Sequence, residues 1–546
     1  MASAARGLVA GVRRLTKERA NPLTGLRRLR DFYDGASYVR ELLREPIDAA
    51  RCGAVVRARV AARVPTFIDM MEQAIFAYSD SPYRPLLEAA GYDLPRIKAL
   101  VSERGLEEGL ETLCRQGVYV SIEEFRGTRE VRRGGLTYRC AEGAFNSPLI
   151  KSGLVAISGG TRSRGMPTII SASDHRLGAE HLALALSAYG LQGAPVAVWM
   201  PSAHGASLWA VLALAATGHP VPYWFTQLPR RVGTLAGRYA RYLGVRASAL
   251  LHGIRLPPAI HVPIGGESRV VRWLTPRTGR PSCGIFTTPS SALRLALAAK
   301  RLGADLGHVT FITIAEPLTP TKAAAIHSVG ARAFSSLGFT EFGRATYGCA
   351  SPAGVDDGHV CLDAIAVTQR RRGVDRFGTE TDALLLTALR SDARKVLLNV
   401  ESGDYAIKTR RRCGCALDAV GWTEHLGEIR SFEKLNAEGP PFAGSQLICL
   451  IEETLPERFG GDPTDYQLLE EEDREGFTRL SVLVHPRLGP IDEQAVLACV
   501  DQTLWSTHGL SARVWAEAGT VKVRRAVPML TKAGKLMPLH HLRVDR

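Results

Sequence analysis

CGIFTTPSSALRLALAAKRLG, residues 283–303, is the stretch that decides the fold. A short apolar run passes through a Thr-Thr-Pro turn into a longer run whose apolar residues recur at helical spacing. Those are the marks of a buried strand followed by a helix. The same unit returns on both sides of it. "LVAIS" at 154–158 precedes "HRLGAEHLALALSAYG" at 175–190, and "VAVWMP" at 196–201 precedes "SLWAVLALAATG" at 207–218. "VTFITI" at 309–314 leads through "AEPLTP" into "TKAAAIHSVG", and "ARAFSSLGFTEFG" follows at 331–343. Strands alternating with helices of ten to fifteen residues predict an α/β core with a largely parallel sheet. In such sheets ligands bind at the carboxyl ends of the strands, which places the loop after "LVAIS" and the segment "SSLGFTEFG" where a site is expected.

Outside this core the texture differs. Residues 1–130 read as mainly helical; "GLEEGLETLCRQG" puts Leu106, Leu110, Leu113 and Cys114 on one helical face. A β-flavoured stretch, "VYVSIEEFRGTREVRRGGLTYRC", follows at 118–140. Beyond about residue 429, "YQLLEEEDREGFTRLSVLVHP" reads as a hairpin around an acidic turn and "IDEQAVLACVDQTLWSTHG" as one helix, together a small α+β domain. The expected division is therefore 1–130, 131–429 and 430–546. At 546 residues the chain exceeds what a single core supports.

Bulk composition narrows the function classes. The chain is 45% hydrophobic and 23% charged, an ordinary globular balance, and carries no apolar run long enough to cross a bilayer. The formal charge of +15 comes from arginines scattered along the chain without a basic block or aromatic-interleaved module, so no nucleic-acid partner is expected. The Arg-rich, acid-poor first 35 residues are read as an amphipathic surface helix rather than a targeting leader. The ten cysteines are dispersed except for "RRCGCALD", which suits a reducing cytoplasm better than a disulfide framework.

Four short stretches carry the chemistry. The first is "SGGTRSRGMPT", where Ser158, Gly160, Thr161, Ser163 and Gly165 offer converging backbone amides and hydroxyls of the kind that hold an anion. The second is "SLGFTEFG", with Gly338, Thr340 and Glu341; the third joins "NVESGDYAIKT", with Asp404, to "GEIRSFEKLNAEG", with Arg430. The fourth is "VPMLTKAGKLMPL", with Lys535 and the lesser alternative Lys532. In type and order these resemble the motifs of the acyl-adenylate-forming superfamily, and within it the phenylacetate–CoA ligase and acyl-protein synthetase branch, over about residues 118–546.

That resemblance implies ATP-dependent activation of a carboxylic acid as an acyl-adenylate, with pyrophosphate released, and transfer of the acyl group to a thiol. The thiol is that of CoA or of a carrier or acceptor protein. By the same resemblance Thr340 contacts the α-phosphate, Glu341 holds Mg²⁺, Asp404 holds the ribose hydroxyls and Lys535 is the catalytic lysine. Arg430 opens the hinge to a mobile C-terminal domain, with Phe432 or Glu433 where the family has an acidic residue. The phosphate loop departs from the pattern: it is about two residues longer, and Met166 stands where lysine is usual, leaving Arg162 or Arg164 to supply the cation, with a non-catalytic homologue that binds only nucleotide or metal as the alternative reading. Relatives in this branch carry a zinc on a cysteine, a nearby histidine and a later cysteine pair; Cys349, His359, Cys413 and Cys415 match, with His425 and Cys361 as alternatives. Three thiolates and an imidazole make a closed, structural site. The segment "WMPSAHGASLWAVL" lines the acyl pocket by the same resemblance.

Overall fold

A computed structural model of the chain describes residues 22–141, 143–157, 166–228, 236–275, 281–373, 380–431, 434–436, 441–443, 450–503, 515, 518–529 and 539–541. At its centre is a six-stranded sheet in the order Arg332–Ser336, Val309–Ile314, Cys283–Thr287, Val196–Met200, Trp224–Thr226, Ala259–His261, with all neighbours parallel. Every residue of Val196–Met200, Cys283–Thr287 and Val309–Ile314 is buried, which is why these strands read as unbroken apolar runs. Val196, Val198 and Met200 pack into one core with helices Ala172–Ala188 and Ala206–Ala216; the alternate Ala197 and Trp199 pack into another with Glu267–Leu274 and Pro289–Arg301. Two of the helices start the same way. Thr288 and Thr319 accept a hydrogen bond from the amide three residues on, and a proline takes the first helical position.

Leu154–Ile157 is not a strand of this sheet. It pairs antiparallel with Pro167–Ile170, Leu154 opposite Ile170 and Ile157 opposite Pro167. Val155 is 49% exposed, a state that an inner strand covered on both faces does not permit. Gly153 lies so close to the partner that an added Cβ would stand 2.3 Å from the Ile170 carbonyl oxygen. The glycine-rich loop therefore bridges a hairpin instead of joining a parallel strand to its helix. Ser158, Gly160, Thr161, Ser163 and Gly165 lie outside the described residues.

The stretch 118–140 is β-structured only in part. Val131–Arg133 and Leu136–Tyr138 form a hairpin, but Ile122–Phe125 is a helical turn. Ser121 and Glu124 close a reciprocal capping box there, each side chain accepting from the other's amide. A second six-stranded sheet, antiparallel throughout and absent from the sequence reading, runs Thr346–Gly348, Gly358–Val360, Glu424–Ser431, Val400–Arg410, Glu380–Ala388, Ile365–Gly373. The early helices are built onto these sheets. Leu106, Leu110, Leu113 and Cys114 of Leu106–Arg115 are all buried, and residues 67–145 share a core with Ala366, Ala388 and Val400.

The C-terminal part has its own core around Tyr466, Leu468, Val482, Val496 and Trp515. Its sheet is the expected hairpin, Tyr466–Glu472 with Thr478–Val484, flanked in parallel by Leu539–His541 and Val521–Arg525. The described part of the helix that follows spans 493–503. The hairpin tip seats on the larger body. The Arg294 guanidinium lies 4.5 Å from the Phe477 ring centroid, and Lys322, fully buried, donates from Nζ to Thr478 Oγ1 at 3.2 Å.

Burial at this seam pushes the Glu470 carboxyl up to about 7, against the opposing pull of Lys322 and Arg430. A carboxyl raised above its unfolded value holds extra protons in the folded state. Its share of the stability therefore falls as pH rises from about 4.5 to 7, and the cost stays in force above that. Glu470→Gln is expected to raise the melting temperature by a few degrees at pH 8 and to change it little at pH 5. Thermal melts of both proteins at the two pH values check this.

Candidate functional site

Two parallel strands end side by side, and the chain leaving each of them helps to line a cavity of about 350 Å³. After Val309–Ile314 the backbone turns at Ala315, with φ of 71°, into Glu316, whose Oε2 accepts from the Ser290 amide and hydroxyl at 3.1 and 2.5 Å. After Arg332–Ser336 the chain folds into a two-rung ladder, Gly338–Phe339 with Gly343–Arg344, and its tip is Thr340, Glu341 and Phe342. Gly343, at φ of 84°, makes that tight return possible. The tip is held from below: Arg394 donates from Nη1 to the Thr340 carbonyl at 3.0 Å, and from Nε to Asp174 Oδ2 at 2.5 Å.

The opposite wall comes from the antiparallel sheet. Pairing of Val400–Arg410 with Glu424–Ser431 sets Asp404 opposite Ser431 and Tyr405 opposite Arg430, so that Asp404 and Arg430 reach the cavity from adjacent strands. Asp404 is buried, and its amide donates to Ser402 Oγ at 3.2 Å. Asp356 fixes the arginine: its Oδ2 is 3.2 Å from Arg430 Nη1, and its two oxygens also accept the amides of Glu428 and Ile429. Gly338, Thr340, Glu341, Asp404 and Arg430 thus line one cavity, together with Ala156 and Met166, which flank the glycine-rich loop. Lys535 and Lys532 lie outside the described residues.

Three polar residues of this region were not singled out from the sequence. Asp174 and Arg394 form the buried pair under the tip, although 220 positions separate them. Lys395 is fully enclosed; burial brings its amine down to about 8 while the nearby Glu341 pulls the other way. Its Nζ donates to Asn146 Oδ1 at 2.6 Å and to the Pro167 carbonyl at 3.3 Å, which ties down one end of the hairpin bearing the loop. The available signal was a charged pair opening the apolar run "RKVLLNV".

Cys349, His359, Cys413 and Cys415 converge at the antiparallel sheet, His359 on its strand Gly358–Val360, with their ligand atoms all within 4.8 Å of one another. His359 Nε2 lies 3.4 Å from Cys413 Sγ and 3.2 Å from Cys415 Sγ. Its other nitrogen, Nδ1, is 2.6 Å from the Trp422 carbonyl. A carbonyl there fixes the tautomer and leaves Nε2 with its lone pair free, the usual outer support of a metal-bound histidine. Gly414, at φ of 75°, turns the chain so that both cysteines face inward. The donor set and its spread fit a tetrahedral zinc, whose bonds of about 2.0–2.3 Å put neighbouring ligands roughly 3.3–3.8 Å apart. Cys361 is not in the cluster. His425 belongs to a second group with Cys349 and Asp357, and its Nδ1 is 2.7 Å from Asp357 Oδ1.

Among the described residues no helix is long and apolar enough to cross a membrane. No family model matches the chain, and no curated protein matches it. Several solved structures are similar to it. A 2-hydroxyisobutyryl-CoA ligase, in complex with 2-HIB-AMP and CoA in the thioesterification state, shares 17% identity over 92% of this chain and 91% of its own, with a TM-score of 0.49. An amide bond synthetase from Marinactinospora thermotolerans shares 12% identity over 91% of this chain and 97% of its own, with a TM-score of 0.39. For an anthranilate CoA ligase in complex with anthranoyl-AMP the figures are 15%, 70%, 65% and 0.31. Of these three, the 2-hydroxyisobutyryl-CoA ligase and the anthranilate CoA ligase are complexes with an acyl-AMP.

Proposed function

We propose that the chain is an adenylate-forming acid–thiol ligase: it activates a carboxylic acid with ATP and passes the acyl group to a thiol. One observation carries this reading. Residues of two separate motifs, Gly338–Glu341 and Asp404 with Arg430, line the same cavity as both flanks of the glycine-rich loop. The loop itself supplies two arginines and no acid, which suits a polyphosphate.

In the first step a substrate carboxylate oxygen bonds to the α-phosphorus, and the bond from that phosphorus to the bridging oxygen breaks as pyrophosphate leaves. The obstacle is electrostatic, since one anion must approach another. Thr340 would donate its hydroxyl to the α-phosphate, and amides of the 158–165 loop would hold the departing phosphates. Asp404 would bind the ribose hydroxyls and Arg430 would border the nucleotide. Glu341 suits Mg²⁺, a hard cation that takes one or two protein carboxylates beside the phosphates and, when bound, neutralises charge developing on them. Lys535, on residues 430–546 as a mobile lid over a 131–429 core and its 1–130 helices, would bridge nucleotide and acid. In the second step the thiol sulfur attacks the acyl carbon and AMP leaves. CoA is the first candidate acceptor and a carrier or acceptor protein the second.

A zinc on Cys349, His359, Cys413 and Cys415 would be structural, pinning the chain after Glu341 to the strand before Arg430. Free cysteines at all nine described positions suit a reducing cytoplasm.

The test is acid-dependent exchange of labelled pyrophosphate into ATP, run over aryl, alkyl and dicarboxylic acids. Exchange with at least one class supports the reading, and none with any of them, in protein that binds ATP, removes it. Asp404→Ala is expected to raise KM for ATP about 10–100-fold, the weight of one or two hydrogen bonds to a charged group, with a smaller effect on kcat. Steady-state exchange kinetics at varied ATP check it.

A further inference from the structure

Arg344 is a cation of the cavity that no step above uses. It closes the short ladder beside Gly338, and its guanidinium lies 5.1 Å from the Trp209 ring centroid and 5.4 Å from that of Phe286. Two other arginines of the cavity have carboxylate partners: Arg394 pairs with Asp174 and Arg430 with Asp356. Among the described residues no carboxylate forms an ion pair with Arg344. Its charged neighbour is Arg394, and its guanidinium hydrogen-bonds the Tyr347 side chain, a neutral partner that leaves the charge uncompensated. Burial disfavours its charge, as expected for a half-buried guanidinium without a counter-ion. A second donor sits nearby. The Trp209 indole Nε1 is buried with no hydrogen-bond partner, its edge facing Gly178, which also lines the cavity. A buried donor lacking an acceptor is costly by itself, and a cation without a carboxylate partner gains when a ligand supplies the anion.

We infer that Arg344 reads a second anionic group on the substrate acid, so that the preferred substrates are dicarboxylic acids or acids with an equivalent remote anion. The inference rests on the adenylation reading of the same cavity. A planar guanidinium braced on aromatic faces presents its N–H edge in a fixed plane, the geometry that grips a carboxylate through two parallel hydrogen bonds. The aromatic wall also separates this role from phosphate binding. Arg344 lies against Trp209 and the Gly338 backbone, where an added Cβ would be 2.9 Å from its Nη1, whereas Thr340 and Glu341, proposed for the α-phosphate and the metal, are at the ladder tip.

The experiment compares matched pairs, hexanoate with adipate and benzoate with terephthalate, in pyrophosphate exchange by the full chain and by Arg344→Met and Arg344→Lys. In the wild type the diacid of at least one pair is expected to give the higher kcat/KM, by tenfold or more. Arg344→Met should lower the diacid-to-monoacid ratio 10–100-fold without raising KM for ATP, and Arg344→Lys should restore part of it. Equal or monoacid-favouring ratios in the wild type overturn the inference. So does a variant that slows both members of a pair alike, which would assign Arg344 to the reacting carboxylate, or one that raises KM for ATP, which would assign it to phosphate. If no acid supports exchange, calorimetric titration of the same acids into the ATP-loaded chain decides: tighter diacid binding that Arg344→Met abolishes supports the inference, and its absence overturns it. Failure of the adenylation reading shows separately, as no exchange with any acid.

Discussion

Glu341→Gln is expected to lower acid-dependent pyrophosphate exchange about 10²–10³-fold while leaving the melting temperature within a degree or two of wild type. The substitution keeps the size of the side chain and removes only its charge. The Thr340–Phe342 tip that carries it is fixed independently by Arg394, through the Thr340 carbonyl and Asp174. Loss of shape is therefore not the expected cost; loss of Mg²⁺ affinity is, and removing one preorganised charge contact of this kind costs about that factor in rate. The signature is a steeper Mg²⁺ requirement with partial recovery at high Mg²⁺. Because Glu341 is also the carboxylate acting on buried Lys395, Glu341→Ala with the same kinetic loss would separate charge from packing. Exchange measured across a Mg²⁺ series, beside a thermal melt, checks the prediction.

The second large effect falls on the fold. Cys415→Ser is expected to reduce the zinc content of the purified protein from about one per chain to well below half. A melting temperature lower by roughly 5–10 °C should accompany it, since a structural zinc contributes several kcal/mol and a body of this size loses about 2–4 °C for each. Cys415 matters because it follows the turn at Gly414 and lies 3.2 Å from His359 Nε2, at the junction of the strand bearing Asp404 with the helix Ala416–Ala419. Cys361→Ser, buried but outside the cluster, is the control that should keep its zinc. Elemental analysis and thermal melts decide, and a zinc-free wild type would remove the metal.

The inner strands of the parallel sheet were legible because they are buried on both faces, whereas the short strands Trp224–Thr226 and Ala259–His261 were not read. "VTFITI" and "CGIFT" have no room for a polar side, and each Thr-Pro pair marks where the following helix starts. Leu154–Ile157 looked the same in sequence, because a four-residue apolar run does not reveal its partner; only its pairing with Pro167–Ile170 settles the matter. The antiparallel sheet escaped for another reason. Strands such as Ile365–Gly373 and Val400–Arg410 run from buried ends into charged, exposed ones, and their charges mask any alternation. The site was legible where chemistry is local and opaque where it is assembled. Two cysteines one residue apart advertise a ligand pair. The meeting of Asp404 with Arg430 depends on strand register, and that of Asp174 with Arg394 on the packing of a helix against a loop. No local pattern carries either.

One cavity is proposed to surround an acyl-adenylate. Calorimetric binding of a non-hydrolysable acyl-sulfamoyl adenosine, made with the acid that best supports exchange, or with benzoate or adipate if none does, tests it most directly. Binding at least about 100-fold tighter than AMP is expected, as for a mimic of a reaction intermediate, with a tenfold or greater loss in Asp404→Ala. Binding no tighter than AMP, or affinity indifferent to Asp404, would contradict it.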